Sequence, residues 1–298
     1  MIELWVLVAL AAGAVQTLRF ALQKRLGATG LSSGGATFSR FLFGAPIALV
    51  AAVAFLIATD TALPTLTQRF WAFACAGGLA QIIGTMATVS LFKERNFAVG
   101  IAFTKSETLL VALFSLVLLG EAITLPGLAA ILIGVAGVVL LSWKTGAGRL
   151  ALLNRASGLG LAAGALFGLA AIGYRGATLE VAADAPLLRA LVTLSAATMF
   201  QTLAMLIYLR LNDPGEITRV VTRWHTTAPV GVTGILGSMG WFFAFALQNA
   251  AYVRALGQVE LVYSLLLSWL VFRDRITARD IIGMTLLVAS IVALILLV

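Results

Sequence analysis

Charge is scarce in this chain. Of its 298 residues 11% are Asp, Glu, Lys or Arg and 61% are hydrophobic, with a mean hydropathy of +1.05. A soluble domain carries about one quarter charged residues, so a water-soluble globular fold is excluded. Cysteine is almost absent. The single Cys75 rules out an internal disulfide and a cysteine-based metal cluster. The single histidine, His225, leaves no His-rich metal site and no Ser/His or His/Asp arrangement for hydrolysis inside the membrane. No metal, no cofactor and no enzymatic activity are expected. The net charge of +8 would suit nucleic acid in a soluble protein, but here the basic residues sit in short loops, where membrane orientation explains them and no nucleic-acid partner is implied.

What is present is a series of apolar runs. Ten can be marked, near 4–22, 37–58, 70–92, 97–119, 124–143, 157–176, 187–210, 227–247, 251–272 and 278–298. Each approaches the roughly 20 residues that an α-helix needs to cross a bilayer. The first run follows Glu3, has no basic flank before it and contains Gln16 and Arg19, so it reads as a retained helix instead of a cleaved leader. The glycine clusters Gly160-x3-Gly164-x3-Gly168 and Gly234-x2-Gly237-x2-Gly240 lack a preceding strand and the dinucleotide spacing. They read as close-packing positions.

The fourth run contains two charges, Lys105 and Glu107, and the stretch from there to Thr124 occurs twice. Shifted by 153 positions, Glu107 falls on Glu260, Ser115 on Ser268, Glu121 on Asp274 and Thr124 on Thr277. On the same offset Trp71 meets Trp224, Gly78 meets Gly231 and Asn96 meets Asn249. With small gaps, Arg40 matches Arg189. Five runs per half is an odd number, so the second half must be inverted relative to the first. The fold class expected is therefore an all-α membrane protein of ten transmembrane helices, built as two inverted five-helix repeats around a central cavity. The repeats would span 1–147 and 154–298, with 148–153 as linker.

Thirteen Lys and Arg residues lie in the odd-numbered loops. The even-numbered loops hold three, Arg69, Arg175 and Arg254. The positive-inside rule then places the odd loops in the cytoplasm and both termini outside, in a multi-pass protein of the cell's inner membrane. The loop segment Glu216–Trp224 has charges at helical spacing and could lie along the interface, with Trp71 and Trp224 as surface anchors.

Several short motifs carry a resemblance. They are Ser39-Arg40-Phe41-Leu42-Phe43-Gly44-Ala45 in the second run, Leu118-Leu119-Gly120-Glu121-Ala122-Ile123-Thr124 closing the fourth, and Phe272-Arg273-Asp274-Arg275-Ile276-Thr277 closing the ninth. In their order and duplication they resemble the drug/metabolite transporter superfamily, in its EamA-like ten-helix branch. The resemblance implies a basket of helices around a central cavity, working by alternating access without ATP hydrolysis. It implies that helices 1, 3, 4, 6, 8 and 9 line the cavity while 5 and 10 lie outside it. It also implies small metabolites as cargo, among them amino acids, nucleotide sugars and drugs. Lys105 and Glu107 depart from it, since the middle of the fourth helix carries less charge in that family.

A charge inside a bilayer costs several kcal/mol unless paired or wet, so its default reading is functional. Lys105 and Glu107 lie about 200° apart around a helix and cannot share a face. Lys105 and Glu260 are expected to meet the carboxylate and the amine of a solute. The structural alternative is a Lys105–Glu260 or Lys105–Glu107 pair that fixes packing. Glu107 or Glu260 could also carry a coupling proton. Arg19 and Arg40 could attract an anionic solute or simply snorkel to headgroups. Gln81, Trp241, Tyr252, Gln258 and Tyr263 complete the expected substrate site, as polar or amphipathic groups in cavity-facing runs. Asn96 and Asn249 are expected to cap helices, Glu121 and Asp274 to sit solvated or helix-locking at hairpin tips, His225 in a loop and Cys75 in the core. The reading is a secondary transporter of a small polar or amphipathic metabolite, such as an amino acid, acting as an exporter. The alternative is a flippase for a lipid or lipid-linked headgroup. Partners are the small-molecule substrate and the bilayer. A monomer would suffice for function, and a homodimer stays open.

Overall fold

The computed structural model describes residues 3–27, 29–94, 107–142, 155–272 and 278–297. Among them there is no strand. The helices are α1 Leu4–Gly27, α2 Ser33–Ala58, α3 Gln68–Glu94, α4 Glu107–Phe114 with a π-turn over Ser115–Leu119, α5 Leu125–Ser142 and α6 Arg155–Glu180. There follow α7 Pro186–Asn212, the short α8 Glu216–Thr222, α9 Trp224–Leu247, α10 Ala250–Leu256, α11 Val259–Phe272 and α12 Ala278–Leu297. Among the described residues, seven helical stretches are long and apolar enough to span a membrane, the one over Ala250–Leu267 joining α10 to α11. Three more apolar helices are shorter.

The polarity is arranged for a bilayer. Leu7, Val50, Ile57, Ile83, Val117, Leu132 and Ile207 are exposed, while Gln16, Arg19, Gln23, Arg40, Glu107, Gln201 and Glu260 are buried. Lipid tails satisfy the apolar exterior, and buried polar groups must find partners within the protein. Helix termini follow the sequence. Ser32 caps α2 by accepting from Gly35 N at 3.0 Å, and Asn249 caps α10 by accepting from Ala251 N at 2.8 Å. The π-turn ends on Gly120, whose φ of +67° is a left-handed conformation that glycine adopts without a side-chain clash.

Packing pairs the halves. α1 lies against α9, and α3 against α6. α2 meets α7, and α5 meets α12. α4 touches α6, while α11 touches α1. Exchanging the first-half helices for their second-half counterparts swaps α1–α9 with α3–α6 and α4–α6 with α1–α11, and maps α2–α7 and α5–α12 onto themselves. Glycines permit the closest approaches. A Cβ on Gly173 of α6 would lie 2.7 Å from Gly77 Cα and 2.8 Å from Phe73 O of α3. A Cβ on Gly137 of α5 would lie 2.9 Å from Gly283 O of α12. Gly240 packs on Ala12 of α1, as its spacing suggested, whereas Gly168 makes only ordinary contacts.

Three details differ from the sequence reading. The run 251–272 breaks at Gly257–Gln258, between α10 and α11. His225 is not in a loop. It belongs to the first turn of α9, stacked on Trp224 at 3.6 Å between ring centroids. Cys75 is half-buried on α3 instead of deep in the core. Trp71 and Trp224 are exposed, as surface anchors must be.

Candidate functional site

Two arginines that could have reached for headgroups are buried in protein. Arg40 follows the start of α2 by seven residues, about 10 Å along the helix. It is 4% exposed, and Arg19 is 0% exposed. Arg19 Nε donates to Gln16 Oε1 at 3.1 Å. Its Nη1 donates to Gln23 Oε1, and Gln23 Nε2 in turn donates to the Ala36 carbonyl at 3.0 Å. Arg40 donates to Ser238 Oγ at 3.0 Å and to Thr85 Oγ1 at 3.4 Å. Room for both stems comes from Gly234 of α9. A Cβ there would lie 2.9 Å from Arg40 Cγ and 3.3 Å from Arg19 Cδ. The snorkelling reading is therefore wrong for both arginines, because glutamines, hydroxyls and a glycine groove receive them inside the bundle.

The helix break supplies the opposite wall. Arg254 lies in the last turn of α10 and Glu260 in the first turn of α11. A cation at a helix C-terminus and an anion at an N-terminus both complement the backbone dipoles. Arg254 Nη2 donates to Glu107 Oε1, and its guanidinium stands 4.9 Å from the centroid of the Trp241 ring. Glu260 interacts electrostatically with both Arg19 and Arg254. The charges thus run Glu107, Arg254, Glu260, Arg19 and Arg40 across α4, α10, α11, α1 and α2.

Between them is a small cavity of about 40 Å³. Arg40, Glu107, Arg254, Glu260, Gln16 and Gln81 supply its charged and amide groups, with Phe20, Phe167, Trp241, Phe242 and Phe245 as aromatic wall. Tyr174 donates to Gln81 Oε1 at 2.9 Å and accepts from Gln201 Nε2 at 3.0 Å. All six helices that the resemblance named contribute. α2 contributes too, through Arg40. No described residue of α5 or α12 lines this cavity.

Of the residues singled out in the sequence, Glu107, Glu260, Gln81, Trp241 and Arg40 share this cavity, and Arg19 lies directly behind it. Lys105 lies outside the described residues, as do Asp274 and Asn96. Glu107 is paired with Arg254, and the alternative pairing of Lys105 with Glu107 or Glu260 falls outside the described residues. Tyr252 is not on the cavity wall. Its hydroxyl accepts from Thr124 N at 3.0 Å and holds the start of α5. Gln258 is buried at the helix break, close to Gly134, and is not among the lining residues. Tyr263 packs half-buried beside Gly13. The groups that sequence reading missed are Arg254, taken for a loop residue, and Tyr174, Ser238 and Gln201, which lie within apolar runs. An arginine three residues before the Gly257 break was the available signal for Arg254.

A second ion pair lies at the far end of α4. Arg175 Nε donates to Glu121 Oε1 at 2.7 Å, and its Nη1 donates to the Phe245 carbonyl. Ser115 Oγ donates to Glu121 Oε2 at 2.7 Å. Glu121 is thus the helix-locking residue, and Arg175 is no loop cation. Arg189, matched to Arg40 in the repeat, donates to the Ala246 carbonyl at 3.2 Å and holds the end of α9.

Apolar-surfaced helices gathered around a charged, aromatic-walled cavity define a multi-pass membrane protein of the transporter class. The EamA-like transporter family model matches residues 3–143 and again 155–296. The chain belongs to that family, within the drug/metabolite transporter superfamily, and carries its unit twice. No curated protein matches the sequence. A solved crystal structure aligns with a TM-score of 0.69 at 16% identity, covering 97% of this chain and 94% of its own. At that identity the likeness shows the fold alone.

Proposed function

We propose that the protein is a secondary transporter of a small polar or amphipathic metabolite, such as an amino acid, and that it works as an exporter by alternating access. The observation that carries this reading is the placement of Arg40, Glu107, Arg254 and Glu260 in one cavity between the halves. Buried charges of this kind are costly to retain for packing alone. Aromatic walls with a few placed polar groups suit an organic solute of modest size. The two halves, 1–147 and 154–298, act as inverted five-helix repeats that rock about the cavity. The exchange symmetry of the helix contacts supports this, and so does the double family match. Glu107 and Glu260 are the candidates for a coupling proton, with Lys105 as a further contact to solute. The chain sits in the inner membrane with both termini outside and functions as a monomer.

The test is counterflow in proteoliposomes loaded with an unlabelled amino-acid pool. Accumulation of a labelled member, lost in Glu260→Ala, is the expected result. No movement of any solute, alongside accelerated exchange of a fluorescent phospholipid between leaflets, would instead select the flippase, for which Arg19 and Arg40 would hold the phosphate.

A further inference from the structure

The charges around the cavity do not balance. Among the described residues, Arg19, Arg40 and Arg254 face Glu107 and Glu260. Arg254 pairs with Glu107, and Glu260 interacts with Arg254 and Arg19. Arg40 is left with the hydroxyls of Ser238 and Thr85, and no described carboxylate lies within ion-pair distance of it. A guanidinium that is 4% exposed and answered only by neutral groups has given up its hydration without a counter-charge. Its repeat counterpart Arg189 serves as a backbone lock, which Arg40 does not.

The hydrogen-bonding capacity around the cavity points the same way. Among the described residues, Trp241 Nε1 and Arg254 Nε are buried N–H donors with no acceptor, and Arg19 Nη2 behind them is a third. An ionised carboxylate or phosphate only accepts hydrogen bonds, so it satisfies donors and supplies the missing charge together. The Thr85 and Ser238 hydroxyls can each turn a proton toward such a group while accepting from Arg40. The remaining wall is aromatic. Both cavity glutamates are already engaged by arginines, so no ammonium group is needed to neutralise them.

Resting on the transporter reading above, we infer that the cavity takes an organic anion: a solute whose carboxylate or phosphate oxygens sit on Arg40 and whose apolar body lies against Trp241, Phe242 and Phe245. This narrows the substrate from polar metabolites in general to those bearing a net negative charge at the bound end.

The test compares three probes of one shape on purified full-length protein, read by thermal unfolding. They are 3-phenylpropanoate, its primary amide and 3-phenylpropylamine. The acid is expected to raise the Tm of the wild type while the amide and the amine do not. In Arg40→Gln the apparent affinity for the acid is expected to fall about tenfold or more, since the charge-assisted hydrogen bonds to the guanidinium are lost. Arg40→Lys should recover part of it. Ligand-free Arg40→Gln should melt no lower than wild type, because it loses an unbalanced buried charge. A drop in ligand-free Tm with the acid response intact would make Arg40 structural and overturn the inference. Equal stabilisation by the amine, or no response to any probe, would overturn it too. A parallel set in nanodiscs with and without phosphatidylglycerol separates the sources. Arg40-dependent stabilisation by the lipid alone keeps the anion chemistry and assigns it to a headgroup. The inference and the transport reading fail separately. A neutral or cationic solute moved equally by Arg40→Gln keeps transport and removes the anion site. Arg40-dependent acid binding with no solute movement does the reverse.

Discussion

Removing the Arg254 side chain strands the Glu107 carboxylate, which is 1% exposed, without its guanidinium partner. Breaking one side of a buried ion pair costs about 3–5 kcal/mol, whereas replacing both sides with apolar groups of similar size is often neutral. Arg254→Met should therefore lower stability by that amount in denaturant unfolding, and Arg254→Met with Glu107→Leu should regain most of it. A single variant as stable as the wild type would mean that the pair contributes nothing. The same residues illustrate why the site was half legible. Glu107, Glu260, Trp241, Gln81 and Arg40 were conspicuous as polar or amphipathic groups in apolar runs. Their partners were not, because a hydropathy pattern fixes which residues are in a helix but not which face each presents to its neighbours.

At the scale of elements, α6 carries two glycines with opposite surroundings. Gly173 touches the backbone of α3 at Gly77 and Phe73, and neither neighbour can rotate aside. Gly158 is exposed and has nothing within 4 Å of a would-be Cβ. Gly173→Ala should cost about 1–3 kcal/mol through overpacking. Gly158→Ala should gain up to about 1 kcal/mol from helix propensity. Thermal unfolding of the two variants side by side checks both signs. If Gly173→Ala is neutral, the helices can separate without penalty and the tight α3–α6 contact is no constraint. The break between α10 and α11 belongs to this scale as well. It sets Arg254 and Glu260 on either side of two non-helical residues, so their charges meet helix ends instead of an uninterrupted backbone ladder.

For the whole molecule, orientation is the prediction most directly checked. Arg175 and Arg254 entered the loop count as even-side bases but are held in ion pairs inside the bundle, Arg254 buried and Arg175 half-buried. Of the three even-side bases, Arg69 alone remains, which sharpens the charge asymmetry. In a Cys75→Ser background, Ala62→Cys on the α2–α3 loop should react with a membrane-impermeant maleimide on intact cells. Asp213→Cys on the α7–α8 turn should react only after permeabilisation. The reverse pattern would place both termini in the cytoplasm. Movement can be probed at the same scale. The Glu121–Arg175 pair joins the α4–α5 turn to α6 of the other half. Glu121→Arg alone should lower counterflow, and adding Arg175→Glu should restore part of it. Persistent loss in the swap would show that the Phe245 carbonyl contact of Arg175 matters more than the charge pair.

The sequence by itself determined that this chain lives in a membrane, that its helices are strung on short loops, and that one family unit occurs twice. Those properties reside in local composition and spacing, since bilayer thickness sets the length of an apolar run and a repeat shows itself at a constant offset. Tertiary structure alone decided which charges meet. It turned Arg254 and Arg175 from loop cations into ion-pair partners, moved Tyr252 from the cavity to the α5 start, and left Arg40 with hydroxyls. Pairings across 54 to 198 positions depend on how helices rotate and approach. That is set by packing at glycines such as Gly234, Gly173 and Gly137, which no pattern along one helix records.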